Sequence, residues 1–101
     1  MRYAYYITLM TSTLDILTAI ADPIRLKLLR AIAHHHDETG SASTHTCTQH
    51  LDLSQPTLSY HFKTLLQAGV IVERKTGTKK FYALNSELLH KKGIMIELLL
   101  K

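Results

Sequence analysis

Apolar residues recur along most of this chain at steps of three and four, the spacing of one helix face. Leu14, Ile16, Leu17, Ile20 and Ala21 predict a first helix over Thr11–Ala21. Ile24, Leu28, Leu29 and Ile32 predict a second over Ile24–Ala33, opened by Asp22 as N-cap and Pro23 in the first turn. His34–Ser43 is polar and aperiodic and reads as a loop. Thr44–Leu51 reads as a short helix with Cys47 and Leu51 facing inward, and Asp52-Leu53-Ser54 as a tight turn in which Asp52 accepts left-handed backbone. Leu58, Phe62, Leu65 and Leu66 form the stripe of a helix that starts at Ser54, carries Pro56 in its first turn and stops at Gly69. The pattern then changes. Val70–Lys75 is β-branched and then charged, Thr76-Gly77-Thr78 is a turn signal, and Lys79–Leu84 returns as a second strand. Ser86–Leu100 closes the chain as a helix that is apolar around most of its circumference, with Gly93 as its weak point. The expected fold is a single domain over residues 1–101, mainly α, with about five helices and one small β-hairpin.

The helix after Ser54 is informative on its other face. Winding it at about 100° per residue puts Thr57, Tyr60, Lys63, Thr64 and Gln67 opposite the apolar stripe, with Ser59 on the shoulder of that face. That face offers hydrogen-bonding groups and a cation but no carboxylate. Solvated helix faces usually mix both signs, so this one suits a polyanion. Charge by segment points the same way. The chain has 12 Lys and Arg against 8 Asp and Glu, yet residues 54–85 hold Lys63, Arg74, Lys75, Lys79 and Lys80 against Glu73 alone, and the rest is neutral. Positive charge concentrated on one helix and the hairpin after it is the footprint of phosphate binding. Helix, turn and helix over 44–67 with a basic hairpin over 70–84 describe a winged helix-turn-helix, whose second helix enters the major groove while the wing follows the backbone. Ser54, Gln55, Thr57, Ser59, Tyr60, Lys63 and Thr64 are the candidate contacts on the helix, and Arg74, Lys75, Lys79 and Lys80 those on the wing. A plain surface hairpin kept soluble by its lysines is the bland alternative.

Several motifs now stand in order: Asp-Pro-Ile-Arg-Leu-Lys-Leu-Leu (22–29), Leu-Ser-Gln-Pro-Thr-Leu-Ser-Tyr-His-Phe-Lys-Thr-Leu (53–65), Ala-Gly-Val-Ile (68–71) and Gly-Thr-Lys-Lys-Phe-Tyr-Ala-Leu (77–84). Together, across about residues 14–85, they resemble the ArsR/SmtB family of bacterial transcriptional repressors. The resemblance implies a homodimer that binds operator DNA of inverted-repeat character and is released by a small effector. It also departs from the family. Where many members carry a thiolate pair, this chain reads Ser43-Thr-His-Thr-Cys-Thr48, and its last helix lacks an Asp-x-His start. Neither of those metal sites carries over, and no cofactor is expected.

Seven histidines are many for 101 residues. His34, His35, His36, Asp37, His45, Cys47 and His50 crowd one region, and imidazoles with a thiolate suit zinc, nickel, copper or cobalt if three or four converge. A metal-sensing repressor using His34, His36, His45, Cys47 and His50 is thus one alternative; a frayed helix end with a small core cysteine is a second, and a thiol or pH switch a third. His61, beside the apolar stripe, reads as structural or as a phosphate contact.

Both ends carry more apolar surface than one small core can cover, so 11–21 and 86–100 are expected to be dimerisation helices. Residues 1–10, rich in tyrosine, fit either the dimer seam or an effector pocket. An enzyme would need a nucleophile–base pair or metal-water site that has no recognised signature here, and a winged helix used only for protein contacts should show an apolar or acidic face over 55–67. No apolar run reaches the ~18 residues of a membrane span. A single cysteine allows no internal disulfide, which agrees with a cytoplasmic protein.

Overall fold

The computed structural model describes residues 12–101. Six helices and three strands follow in order: α1 (Thr13–Ile20), α2 (Pro23–His35), β1 (Ala42–Ser43), α3 (Thr44–Thr48), α4 (Gln55–Gln67), β2 (Ile71–Thr76), β3 (Lys79–Leu84), α5 (Ser86–Lys91) and α6 (Ile96–Leu99). The starts of α1 to α5 are set by short polar side chains, which accept from the free N–H groups of the first turn: Ser12, Asp22, Ser43, Ser54 and Asn85. Asp22 does this twice, taking the N–H groups of Ile24 at 2.9 Å and Arg25 at 3.0 Å. Gly69 ends α4 as expected. At φ 77° it lets its own N–H reach Leu66 O and the Val70 N–H reach Leu65 O, the paired bonds of a Schellman stop.

The helices close over one core. Leu28, Leu29 and Ile32 of α2 lie at its centre, against Ile16 and Ile20 of α1, Leu65 of α4 and Leu88 and Leu89 of α5. The sheet runs β1-β3-β2, all antiparallel. It is held to α4 by Tyr82, whose ring stacks on Phe62 at 4.3 Å between centroids.

Several expectations need correction. The stretch 34–43 is not all loop. Helix α2 runs on to His35, and Ala42 and Ser43 pair with Tyr82 and Phe81, so the wing belongs to a three-stranded sheet. Nothing local in Ala-Ser announces a strand; the partner forty residues later creates it. Helix α3 ends at Thr48 rather than Leu51, and six residues lead into α4. Asp52 is not left-handed: among the described residues only glycines have positive φ. The closing helix is two helices. Gly93, at φ 75°, makes a second Schellman stop, with bonds from Gly93 N to His90 O and from Ile94 N to Leu89 O. The reversal buries Ile96 and Leu100 in the chain's own core and is fastened by Glu97, which accepts from Ser86 Oγ at 3.3 Å and meets His90 Nε2 at 3.2 Å. Thr11 and the tyrosine-rich residues 1–10 lie outside the described residues.

The Arg25 and Ile24 N–H groups, together with the Arg25 guanidinium, hold the Asp22 carboxyl below its ordinary value of 3.8. Folding therefore favours its charged form. That contribution is complete above the ordinary value and is lost as pH falls through it toward the lower folded value. Asp22→Ala is expected to lower the unfolding free energy by about 1–2 kcal/mol near neutral pH. In urea unfolding the gap between variant and wild type should narrow at about pH 3; a gap of constant size would deny Asp22 this role.

Candidate nucleic-acid interface

Helix α4 is fixed from behind by a buried polar network. Arg25 and His61 are each only 9% exposed. The Arg25 guanidinium donates to Ala19 O at the end of α1 and, at 3.1 Å, to His61 Nδ1 on α4. An arginine has no acceptor to offer, so Nδ1 must carry the lone pair and the neutral imidazole keeps its proton on Nε2. Asp22 Oδ1 lies 4.0 Å from the same Nδ1, but the ion pair this distance suggests would require a proton exactly where Arg25 donates one. The Asp22 charge is better understood as stabilising the guanidinium between them. His61 is thus structural, and one edge of its ring meets Tyr60 in a T-shaped contact at 5.3 Å.

With the apolar stripe and His61 turned inward, the opposite side of α4 is open. Gln55, Thr57, Ser59, Tyr60, Lys63 and Gln67 are exposed, Tyr60 by 62%, and Thr64 is half-buried. Some hydroxyls already have partners. Ser54 Oγ lies 2.8 Å from Thr57 Oγ1, and Thr64 Oγ1 donates to Tyr60 O at 2.9 Å, so Thr64 keeps only its acceptor capacity.

The wing sorts its cations by pleat, Lys75 and Lys80 to one face, Arg74 and Lys79 to the other. In the β2–β3 register Lys75 faces Lys80 and Glu73 faces Tyr82, so all four side chains lie on the face turned toward α4. A groove of about 270 Å³ runs between the two elements, lined by Gln55, Ser59 and Lys63 on one side and by Lys80, Glu73 and Tyr82 on the other. Like charges placed directly opposite on adjacent strands are destabilising. Lys75 and Lys80 accept that cost where a polyanion would relieve it. Tyr82 is a wall rather than an acid here, since burial, aided by the Glu73 carboxylate, pushes its phenol up to about 12.

Arg74 departs from the sequence reading. It projects from the other face, lies over the Phe81 ring at 4.5 Å, and donates to Thr76 Oγ1 at 2.9 Å and Ser41 Oγ at 3.0 Å. The Ser41 bond ties the 37–41 turn to the sheet, and the guanidinium is engaged within the fold. Lys63, Lys75, Lys79 and Lys80 form no ion pair among the described residues. Sequence reasoning also missed Thr44 and His45. The β1–β3 pairing brings them to the wing, where they line a groove with Thr78, Lys79, Lys80 and Phe81, and Thr44 Oγ1 donates to Lys80 O at 3.4 Å. No local signal could have found them, because their neighbours come from a long-range strand pair.

The profile of bacterial regulatory proteins of the arsR family matches residues 22–72. This chain belongs to the ArsR family. It is similar to the arsenical resistance operon repressor of Staphylococcus xylosus, with 36% identity over 74 residues. That stretch is 73% of this chain and 66% of the repressor, just under two thirds of its length. The transcriptional repressor SdpR of Bacillus subtilis is 31% identical over 75 residues, 74% of this chain and 78% of SdpR. Among solved structures, an ArsR family transcriptional regulator superposes with a TM-score of 0.66 at 23% identity, over 83% of this chain and 86% of that one, a likeness of fold. The fold is a winged helix, and the matched segment is the one shared by this family of bacterial regulatory proteins. Among the described residues, no helix is long and apolar enough to cross a membrane.

The chain's histidines do not gather as a metal site would require. Among the described residues, no three His, Cys, Asp or Glu side chains form a group able to hold a metal ion. Nε2–H of His34 donates to Leu100 O at 2.8 Å, His36 bonds the Asp37 carbonyl at 3.0 Å, and His45 and His50 are exposed. Burial pushes the Cys47 thiol up to about 12, and its Sγ lies 3.8 Å from Ala42 O. A neutral, buried thiol is a poor ligand.

Arg25→Met is expected to leave the Ala19 carbonyl and the His61 ring nitrogen without their donor, lowering stability by about 2–4 kcal/mol. Urea unfolding would measure it. A change under about 0.5 kcal/mol, the ordinary range for a surface position, would show that the network does not anchor α4.

Proposed function

We propose that this ArsR-family regulator works as a homodimeric repressor, holding an inverted-repeat operator through two copies of α4 and releasing it when a small effector binds. One observation supports the DNA reading: the carboxylate-free outer face of α4 beside a wing whose lysines form no ion pair among the described residues. Gln55, Thr57, Ser59 and Tyr60 have the hydrogen-bonding groups that read base edges, while Lys63, Lys75, Lys79 and Lys80 neutralise phosphates. Ser54 and Thr64 add backbone contacts at either end of the helix face, and Thr44 and His45 extend the phosphate track past the wing. Arg74 serves this surface indirectly, by stiffening the sheet that presents it. A protein-interaction module would present a different face, apolar or acidic. A cytoplasmic site of action fits a protein with one cysteine, free and buried.

Symmetry supports the dimer. Two recognition helices must meet major-groove segments about 34 Å apart, which a two-fold axis arranges. Leu14 and Leu17 on α1 and Met95, Leu98 and Leu99 around α6 stay exposed, Leu14 by 72% and Leu98 by 60%. Large apolar side chains grouped at the two ends of the chain suit a seam with a second copy.

Two outcomes are expected. Against a duplex selected by the protein from a random pool, Lys79→Ala with Lys80→Ala should weaken binding to all sequences alike. The dependence of log affinity on log salt should fall by up to about two units, with stability changed by less than about 0.5 kcal/mol. Substituting Thr57, Ser59 or Tyr60 with alanine should instead change which sequences are preferred. A folded double-lysine variant with the wild-type salt slope refutes the wing assignment. For assembly, Leu98→Glu with Leu99→Glu should shift sedimentation from dimer to folded monomer and weaken operator binding, because one recognition helix then acts alone. A dimer that survives both charges places the seam elsewhere.

A further inference from the structure

Helices α2 and α3 leave a cleft of about 380 Å³ between them, on a different part of the molecule from the α4–wing groove. Its α2 wall is a stripe at helical spacing, Lys27, Arg30, Ala31 and His34, with His35 beside it, and its α3 side brings Cys47, with His50 and Leu51 just beyond. Lys27 and Arg30 are exposed and form no ion pair among the described residues, and no carboxylate lines the cleft. Two cations three residues apart on one helix repel each other. The floor between them is apolar: Ala31 and Leu51 are half-buried, and the thiol of Cys47 is buried and neutral. The volume falls within the range of small-molecule sites.

Resting on the regulator reading above, we propose that this cleft is the effector site and that it takes a small organic monoanion, a carboxylate on an apolar body. The carboxylate would sit against Arg30 and Lys27, and the body would cover Ala31, Leu51 and the Cys47 side chain. The position gives it leverage. Helix α3 leads through residues 49–54 into α4, while α2 holds α4 directly through the Arg25–His61 bond. A ligand wedged between α2 and α3 therefore acts on both supports of the recognition helix, and changes its tilt against the partner's copy.

The test uses the full chain with benzoate as the probe, benzyl alcohol as its neutral counterpart and inorganic phosphate as an anion without an apolar body. Saturable shifts of the Ala31 methyl and His50 ring resonances are expected with benzoate and not with the other two. Affinity should fall about tenfold or more in Lys27→Gln with Arg30→Gln, the loss of at least one charge-assisted hydrogen bond. Bound benzoate should lower operator affinity by at least about fivefold, the small end of allosteric coupling. Equal binding of benzyl alcohol or phosphate, no loss in the double variant, or benzoate binding with unchanged operator affinity each overturns the proposal, as does an absence of shifts with benzoate, hexanoate and salicylate. A reduced salt slope for DNA in the ligand-free double variant would make the stripe a phosphate contact and overturn it too. Ligand-free DNA binding by the wild type tests the regulator reading separately, so failure of one is not mistaken for failure of the other.

Discussion

A permanently charged guanidinium buried inside a small domain constrains everything packed around it, because leaving it unpaired would cost several kcal/mol. Arg25 is that group. Two of its donors are taken by Ala19 O at the end of α1 and by the His61 ring on α4, and Asp22 supplies the nearby negative charge at the start of α2. Three helices are thereby fixed against one another by directional bonds, which apolar packing alone would leave free to slide. The outward face of α4 inherits its direction from that arrangement.

The α4–wing side shows the reverse economy. Lys75 opposes Lys80 across the β2–β3 pair, and Lys63 stands nearby without a carboxylate partner. Such charges oppose folding slightly and favour a polyanion strongly, since each phosphate contact also releases condensed counterions. Arg74 marks the boundary between the two roles. It lies one residue from Lys75, and because successive strand residues point to opposite faces it lands on Phe81, Thr76 and Ser41 instead. A planar guanidinium suits that stacked, multiply bonded position better than an ammonium would. The wing therefore combines one arginine that bonds within the fold with lysines that form no ion pair among the described residues.

The apolar surplus at the chain's ends divides in a comparable way. Leu88, Leu89, Ile96 and Leu100 fill the domain's own core, whereas Leu14, Leu17, Met95, Leu98 and Leu99 face outward. The turn at Gly93 makes the division. A continuous helix over 86–100 would have carried Ile96 and Leu100 away from the core, and the clasp of Ser86 and His90 on Glu97 keeps the reversed segment in place.

The sequence by itself determined the local features. Caps at Asp22 and Ser54, the stop at Gly69, the stripe of Leu58, Phe62 and Leu65, the β-branched run into the wing and the carboxylate-free face of α4 all follow from neighbours within a few residues, where propensity and periodicity act. Tertiary structure decided what depends on distant partners. Ala42 and Ser43 became a strand only because Tyr82 and Phe81 lay alongside. Arg74 found Ser41 across the fold because β1 and the turn before it lie beside the wing, and Thr44 and His45 came to the wing through the same strand pair. Gly93 could bend a helix or end it, and packing of Ile96 on the core selected the ending. His34 looked like a candidate ligand until the Leu100 carbonyl took its Nε2–H. In each case the sequence supplied the chemical group, but its partner lay across the fold, beyond the reach of any local pattern.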